Sequence, residues 1–412
     1  MFFKILLFTT ILLFKSLQGS DLSQWRNAFI QAGKSEALAP NLVVRNLAIL
    51  SAASFDVLNK SQQNFISYLP APHLKLPNQW DEFSALRGCS LKLANSLHPS
   101  QKSLFSRIAH KTLIKHGEIA HNPSFEYGQN IALHYLNHRR DDGAATKVTY
   151  LPQTNPGKWR RTPPYFRPAE QPHWPKVDLF CLPNVKDFIP PPPPEPNSKQ
   201  YLNAVKEVKL LGGKTSRLRN QKQTQIAKFW KDFSYSSTPP GHWNEIAQSV
   251  ARKKNFSNIQ EAHLFALLNL AMADGGIIAW QSKYHYHLWR PIHAIQYAEE
   301  FPKTKTLTDR DWEPLLETPP HPEYISGHAC YSGIAAEILS LVLQSDSFSF
   351  IVKNNDIIQK PRNFNSFSSC AQEVSNSRLY GGIHYRFSNL IALHTGKKIA
   401  QYVHNNFLLP LN

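Results

Sequence analysis

Three short segments in the second half of the chain carry residues whose types and spacing suit anion binding. The first, KYHYHLWRP, places Lys283 and Arg290 seven residues apart, with two aromatic residues between them. On a continuous α-helix seven residues make about two turns, so both cations would lie on one face. A solvated surface needs no such arrangement, whereas a buried anion does. The segment therefore predicts two cations directed at one anionic ligand.

The second segment, PPHPEYISGHACYSGIAAEIL, contains the predicted start of an amphipathic helix. Ser326 can cap this helix, and the Gly327 amide is among the N–H groups that a helix start leaves unpaired. Such an end attracts anions through its free donors and through the helix dipole. His328 follows in the first turn, so we expect it at the mouth of the same site.

The third segment, SRLYGGIHYRF, supplies a third cation and a further histidine. Arg378 precedes the break at Gly381 and Gly382, and His384 follows it, where the next helix should begin. Arginine suits two-pronged contacts with an oxyanion. One histidine can attack the central atom of such an anion, and another can move protons near neutral pH. The three segments together predict a site for a compact tetrahedral oxyanion.

Helices are the elements that must position these segments. Apolar residues recur at three- and four-residue intervals over 22–140, and again after residue 201, as in IQEAHLFALLNLAMADGGIIAW. No alternating strand pattern of any length is apparent. We therefore predict a mainly α fold with an N-terminal helical region over 21–150 and a C-terminal helical region over 201–412 that carries the anion site.

Between these regions, residues 151–200 are rich in proline, as in TPPYFRP, QPHWP and IPPPPPEP. Proline at this density is incompatible with helices and central strands. Tyr165, Phe166, Trp174 and Phe180 are interleaved with the prolines. These aromatic residues favour an extended segment that wraps the surface over a disordered linker.

Residues 1–20 have the pattern of a secretory signal peptide. Lys4 is followed by an apolar run from Ile5 to Phe14 and then by small and polar residues around Gly19. The apolar run is too short to span a bilayer. We expect cleavage near Gly19, export to the periplasm or the extracellular space, and no stable membrane anchor.

Net charge and cysteine spacing narrow the class of partner. The formal net charge of +17 favours anionic partners. The cations are spread along the chain without an RNA- or DNA-reading motif, so we expect a small anion and no nucleic acid. The four cysteines form no CxxC pair, which argues against a zinc ribbon or a redox motif. Disulfides in any of three pairings and free buried thiols both remain open, as does the oligomeric state.

The order K-x6-R-P, then SGH, then SR-x5-H resembles the superfamily of vanadium-dependent haloperoxidases and type 2 phosphatidic-acid phosphatases. The likeness extends through PPPPP, the GGK turn, PPGHWNEIAQ and GGIHYRFSN, which are similar to the soluble, exported haloperoxidase-like branch. The resemblance implies helical bundles of this type and a vanadate cofactor. It also implies hydrogen peroxide, a halide and a small organic acceptor as reaction partners.

Site roles can be carried over from the resemblance residue by residue. His384 would bond to vanadate, or attack phosphate in an acid phosphatase, and His328 would be the acid–base group. Lys283 would also polarise the peroxide. The residues that hold the remaining oxygens of the anion would be Lys283, Arg290, Ser326, Gly327 and Arg378.

Two positions depart from the pattern of this superfamily. Many relatives have proline before the SGH serine, where this chain has Ile325. Many also have Asp four residues after the last histidine, where this chain has Ser388. An acid that would orient His384 is therefore missing or supplied from elsewhere in the chain.

His321 lies seven residues before His328 and bears on the choice of halide. The resemblance suggests that bromoperoxidases have His at this position and chloroperoxidases have Phe, which favours bromide or iodide here. Three functions stay open from the sequence: a vanadium haloperoxidase, a soluble acid phosphatase with a phosphohistidine at His384, and an inactive phosphate-binding relative.

Overall fold

The structure is a computed structural model that describes residues 20–117 and 122–411. The predicted signal peptide lies outside these ranges apart from Ser20, so export stays a prediction. The N-terminal region forms five helices, α1 (Asp21–Ser35), α2 (Pro40–Gln62), α3 (Glu82–Leu97), α4 (Lys102–His116) and α5 (Pro123–His138).

Eight helices and one hairpin follow the proline-rich segment. The helices are α6 (Lys199–Gly212), α7 (Gln221–Phe229), α8 (Thr238–Lys253), α9 (Asn258–Tyr286), α10 (Pro291–Gln296), α11 (Gly327–Leu343), α12 (Phe367–Tyr380) and α13 (Arg386–Asn406). The strands are β1 (Ser347–Val352) and β2 (Arg362–Ser366). The predicted mainly α fold is confirmed.

The hairpin corrects the expectation that no strand pattern is present. β1 and β2 pair antiparallel, with Phe350 opposite Phe364 and Val352 opposite Arg362. In SFSFIV the side chains of Phe350 and Val352 are buried, while the residues between and before them are more exposed. Alternation over six residues is the period-two pattern of a strand with one buried face, and the segment is too short to stand out in a helical sequence.

Helix α9 is the centre of the fold. Ser257 caps it in a capping box, because its side chain accepts from the Gln260 amide and the Gln260 side chain returns to the Ser257 amide. Most residues of α9 from Ile259 to Lys283 are buried, so the helix is apolar on nearly all sides. It packs against α2 in the N-terminal region and against α11 in the C-terminal region. One continuous core therefore runs through both regions.

Two helices, α2 and α9, are long and apolar enough to cross a membrane by length and composition. In the folded chain 89% and 94% of their apolar windows are buried inside the protein. Burial of this extent accounts for their apolar composition, because the core helix of a large domain is apolar for the same reason.

The proline-rich segment packs on the helices through some of its aromatic side chains. Trp174 and Phe180 are buried, whereas Tyr165 and Phe166 are 69% and 55% exposed. The expectation of packing therefore fails for these two. The Asp274 carboxylate of α9 anchors the segment, because it accepts from three successive backbone amides at 2.6, 2.8 and 2.8 Å, those of residues 180–182. The four cysteines are all buried and free.

Two glycines bring α11 and α13 into backbone contact. A Cβ atom on Gly333 would lie 2.4 Å from the Leu393 carbonyl oxygen, and one on Gly396 would lie 2.4 Å from the Cys330 carbonyl oxygen. No real Cβ atom approaches a carbonyl so closely. The two helices that follow the SGH and His384 segments are thus held at a distance that only glycine permits.

We expect Gly396→Ala to lower the free energy of unfolding by about 1–3 kcal/mol, because overpacking outweighs the better helix propensity of alanine. Urea unfolding measures this change. Leu390→Ala, at an exposed position of the same helix, is the control and should stay within about 0.5 kcal/mol of wild type. A Gly396→Ala protein more stable than wild type would contradict the close crossing.

Candidate active site

The three segments predicted to bind an anion meet at the wall of one cavity of about 690 Å³. The site residues that line it directly are His321, Gly327, His328 and His384. Lys283, Arg290 and Arg378 are fully buried. Arg290 and Arg378 donate to His384 and His328 of this wall, whereas Lys283 donates to the Ile325 carbonyl, two residues before Gly327. The fold thus brings together every residue that the sequence assigned to the site.

Lys283 and Arg290 do not lie on one helix, although the sequence predicted that they would. Helix α9 ends at Tyr286, and His287 takes a left-handed conformation with φ 55°. Arg290 has extended backbone, with φ −77° and ψ 157°. The residue before a proline disfavours the helical conformation, so Pro291 ends any helix through Arg290. The two cations converge because the chain turns between them, and the prediction of one shared helical face is wrong.

Lys283 holds the loop that precedes the SGH helix. Its Nζ donates to the carbonyl oxygens of Pro322 at 3.2 Å, Glu323 at 3.0 Å and Ile325 at 2.5 Å. An ammonium group has three N–H donors, so all of them are engaged in the free protein. Burial, and next the neighbouring Arg290, hold the pKa of Lys283 well below its ordinary value.

Arg290 ties two of the three segments together. Its Nε donates to the His321 carbonyl at 2.8 Å, and Nη1 donates to the Ile383 carbonyl at 2.8 Å. The ring contacts are Nη1 to His384 Nε2 at 3.1 Å and Nη2 to His321 Nδ1 at 2.9 Å. Burial lowers the pKa of Arg290 to about 10, so the guanidinium stays charged at neutral pH.

Arg378 has the same relation to His328 as Arg290 has to His384. Its Nη1 donates to His328 Nε2 at 3.1 Å, its Nε donates to Ser377 Oγ at 3.0 Å, and Nη2 donates to the Trp230 carbonyl. Burial lowers the pKa of Arg378 to about 10, and the negative charge of Asp232 opposes that shift. Arg378 is therefore also a cation at neutral pH.

The start of α11 has hydrogen-bond donors without a partner beside the cavity. Ser326 is the N-cap residue, but its side chain makes no capping hydrogen bond, which corrects the predicted capping role. Its Oγ is buried and has no hydrogen-bond partner among the described residues. Gly327 lines the cavity and begins the helix, where backbone amides have no helical partner. A buried hydroxyl without a partner and a helix N-terminus thus lie next to each other at the start of α11, and Gly327 of this start lines the cavity with the histidines.

The acid that the sequence left unassigned is Glu323. Its Oε1 accepts from His384 Nδ1 at 2.7 Å and from the Tyr385 amide at 3.0 Å. The side chain is 0% exposed. Burial raises the pKa of Glu323 to about 7, while Arg290 and Lys283 oppose the shift. Sequence spacing gave no signal for this contact, because Glu323 and His384 are 61 residues apart.

The hydrogen bonds fix the tautomers of the histidines. A guanidinium only donates, so His384 Nε2 and His328 Nε2 must both be unprotonated acceptors. The proton of His384 therefore sits on Nδ1, where it is donated to Glu323. Burial, with the neighbouring arginines next in effect, holds the pKa of His384 and of His328 well below the ordinary value. Both rings are neutral near pH 7.

Trp280 and Asp232 are two further cavity residues that sequence reasoning missed. The Trp280 ring centroid lies 4.9 Å from that of His321 and 5.7 Å from Lys283 Nζ. Its position one helical turn before Lys283 was a usable signal, since residues three apart share a helix face. Asp232 lines the cavity and pairs with His242 Nδ1 at 3.2 Å. No motif marks Asp232 in the sequence.

This donor set fits a tetrahedral oxyanion such as vanadate or phosphate. The site combines an unpaired buried hydroxyl, a helix N-terminus and three buried cations, of which Arg290 and Arg378 have N–H groups beyond those already engaged. The unprotonated His384 Nε2 is a nitrogen that can bond to the central atom of the anion. Among the described residues no group of three His, Cys, Asp or Glu side chains could hold a metal ion.

Comparison with known proteins agrees with this chemistry. Residues 263–410 match the family model of the VCPO second helical-bundle domain, a stretch that contains all three anion-binding segments. Vanadium chloroperoxidase from Curvularia inaequalis is 22% identical over 342 residues, which are 68% of this chain and 56% of that protein. The match thus spans little more than half the length of that relative.

Solved structures extend the likeness to nearly the whole chain. The crystal structure of a bacterial vanadium-dependent iodoperoxidase is 28% identical, with a TM-score of 0.83 over 95% of this chain and 97% of that one. A holo-type bacterial vanadium-dependent chloroperoxidase is 14% identical, with a TM-score of 0.71 over 90% and 94% of the two chains. The second of these likenesses concerns the fold alone.

The family model, the curated relative and the solved structures all concern vanadium haloperoxidases, and the chain is similar to them, as the resemblance in its sequence implied.

We expect inorganic phosphate to stabilise the protein through this site. At a phosphate concentration of about 100 times the dissociation constant, the free energy of unfolding should rise by about 2.7 kcal/mol. Arg378→Ala should remove most of that rise, and Ser326→Ala should reduce it by about 1 kcal/mol through the lost hydrogen bond. Denaturant unfolding of each protein with and without phosphate measures the rise separately from any effect of the substitution itself.

The matched control is Arg217→Ala, which removes an exposed arginine away from the cavity. It should leave the phosphate effect unchanged. Equal stabilisation by phosphate in Arg378→Ala and wild type would place the anion elsewhere.

Proposed function

We propose that this protein is a vanadate-dependent haloperoxidase that oxidises bromide or iodide with hydrogen peroxide. The observation that carries the proposal is the state of His384. Its Nε2 is unprotonated, borders a cavity, and lies 3.1 Å from Arg290 within a cluster of three buried cations. Such a nitrogen suits bonding to a multiply charged oxyanion whose oxygens the cations then hold.

Each residue has a distinct part in holding vanadate. His384 Nε2 would bond to it, while the three cations would bind its other oxygens and offset its charge. Ser326 Oγ and the Gly327 amide would donate further hydrogen bonds. Bound vanadate would supply a Lewis-acidic centre that activates hydrogen peroxide without a change in its own oxidation state. The buried cations are preorganised for this task, because carbonyl oxygens already hold them in place.

Proton transfer falls to His328. Oxidation of a halide by peroxide takes up one proton: the O–O bond breaks, the halide loses two electrons to become a hypohalous acid, and one oxygen leaves as water. His328 lines the cavity, and its Nε2 accepts from Arg378 and is unprotonated in the free protein. An anion bound beside Arg378 would offset its charge and let Nε2 take up a proton. His328 would then deliver that proton as an acid.

Halide preference is assigned to His321. It lines the cavity, accepts from Arg290 at Nδ1 and packs against Trp280, so its ring is fixed beside the site. The resemblance places His here in bromoperoxidases, which favours bromide or iodide. The crystal structure at 28% identity is that of an iodoperoxidase, and this supports the same choice.

The cavity and the first residues of the chain complete the proposal. At about 690 Å³ the cavity is large enough for a small organic acceptor beside the anion.

The signal-peptide pattern of residues 1–20 supports action outside the cytoplasm.

The test is a titration of purified, vanadate-free protein with orthovanadate while bromination of an organic acceptor is followed. Bromination should depend on vanadate, bromide and peroxide together. His384→Ala should abolish it, because the nitrogen that bonds to vanadate is removed. His285→Ala, which changes an exposed histidine, is the control and should retain full activity.

Hydrolysis of an aryl phosphate is measured in parallel, since phosphate and vanadate share shape and charge. Hydrolysis that vanadate inhibits, without bromination or iodination, would replace the proposal with an acid phosphatase acting through a phosphohistidine at His384. Anion binding with neither activity would make the chain an inactive phosphate-binding relative.

Replacing His321 tests the halide assignment. We expect His321→Phe to raise the rate of chloride oxidation relative to bromide and iodide, because an apolar ring replaces one that accepts from Arg290. The measurement is the ratio of kcat/KM for the three halides, with vanadate affinity measured alongside. An unchanged ratio at unchanged vanadate affinity would show that halide selection lies elsewhere.

A further inference from the structure

We infer that Glu323 is the positioning residue for His384, which it holds with Nε2 directed at the anion, in place of the Asp that many members of the superfamily have where this chain has Ser388. This inference rests on the proposed function, because it concerns the ring that would bond to vanadate. It adds a residue outside the K-x6-R-P, SGH and SR-x5-H motifs.

The geometry around Glu323 leaves its side chain little freedom. Its backbone amide donates to the Leu288 carbonyl at 2.8 Å, and its own carbonyl accepts from Lys283 at 3.0 Å. The carboxyl is completely buried, and Oε1 accepts from both His384 Nδ1 and the Tyr385 amide. An acceptor held on both sides in this way orients the imidazole and keeps its proton on Nδ1.

Ser388 lies four residues after His384, in the first turn of α13, and is fully buried. Its hydroxyl is near enough to the Glu323 carboxyl to lower the pKa of that group, which burial raises overall, but it has no hydrogen-bond partner among the described residues. Positions 323 and 388 thus come from two segments, one from the loop before α11 and one from α13. Carboxylates at both positions would repel each other. An uncharged residue at 388 therefore suits a carboxylate at 323.

A purely structural reading competes with this one. The negative charge of Glu323 opposes the lowering of the pKa of Lys283 and of Arg290 that burial causes. It therefore also offsets part of the charge of these buried cations. A counter-charge alone would stabilise the fold without any need for contact with His384. The contact at 2.7 Å and the shared Oε1 favour positioning. The two readings differ in what a relocated carboxylate would restore.

The experiment compares wild type with Glu323→Ala, Glu323→Gln and the double variant Glu323→Ala with Ser388→Asp. Nitrogen-15 NMR of the vanadate-free proteins, with histidine labelled, reports the tautomer of His384. Titration with orthovanadate alone and with inorganic phosphate alone reports anion affinity, and thermal unfolding reports stability.

We expect wild type to show the Nδ1–H tautomer and Glu323→Ala to lose it, with vanadate affinity falling roughly 10- to 100-fold. The double variant should recover both the tautomer and most of the affinity. Glu323→Gln should keep much of each, since its amide oxygen still accepts from Nδ1. Glu313→Gln is the control: this exposed acid pairs with Lys214 away from the cavity, so tautomer and affinity should not change.

Either of two results would overturn the inference. One is an unchanged His384 tautomer and unchanged anion affinity in Glu323→Ala. The other is a double variant that regains wild-type stability but neither the tautomer nor the affinity, which would leave Glu323 a counter-charge only. The tautomer is read without vanadate, so a protein that fails the bromination test still decides the role of Glu323.

Discussion

Burial of three cations within one small region is the constraint on which the rest of the structure depends. Lys283, Arg290 and Arg378 are 0% exposed, and an uncompensated buried charge is costly. The chain meets this cost mainly with carbonyl oxygens. The loop before α11 turns its carbonyls toward Lys283 and Arg290, and Ile383 and Trp230 contribute the others. These loops therefore follow the course that places their carbonyl oxygens around the buried cations.

The same constraint sets the electrostatics of the histidines. A guanidinium that donates to a ring nitrogen leaves that nitrogen unprotonated, and the cation beside it opposes protonation further. His384 and His328 are both held in this way. The site therefore has buried positive charges in its wall and unprotonated ring nitrogens beside the cavity. That combination suits an oxyanion better than a metal cation.

Helix packing keeps this arrangement rigid. The SGH helix α11 and the helix α13 after His384 touch backbone to backbone at Gly333 and Gly396, so their N-termini cannot separate easily. Helix α9 joins the core of both regions and carries Lys283 in its last turn. The predicted anion site thus lies where the C-terminal ends of α9 and α12 meet the N-terminal ends of α11 and α13.

The sequence by itself determined the helical class, the types of the site residues and their grouping in three segments, because periodicity and motif spacing are local properties. It also showed that an orienting acid was missing at Ser388. Only the tertiary structure decided that Arg290 follows a break in the helix, that the Ser326 side chain makes no capping hydrogen bond, and that Glu323 is the acid that contacts His384. These outcomes depend on contacts between segments far apart in the chain, such as the pair of Glu323 and His384, and no local pattern encodes which loop will satisfy a buried charge.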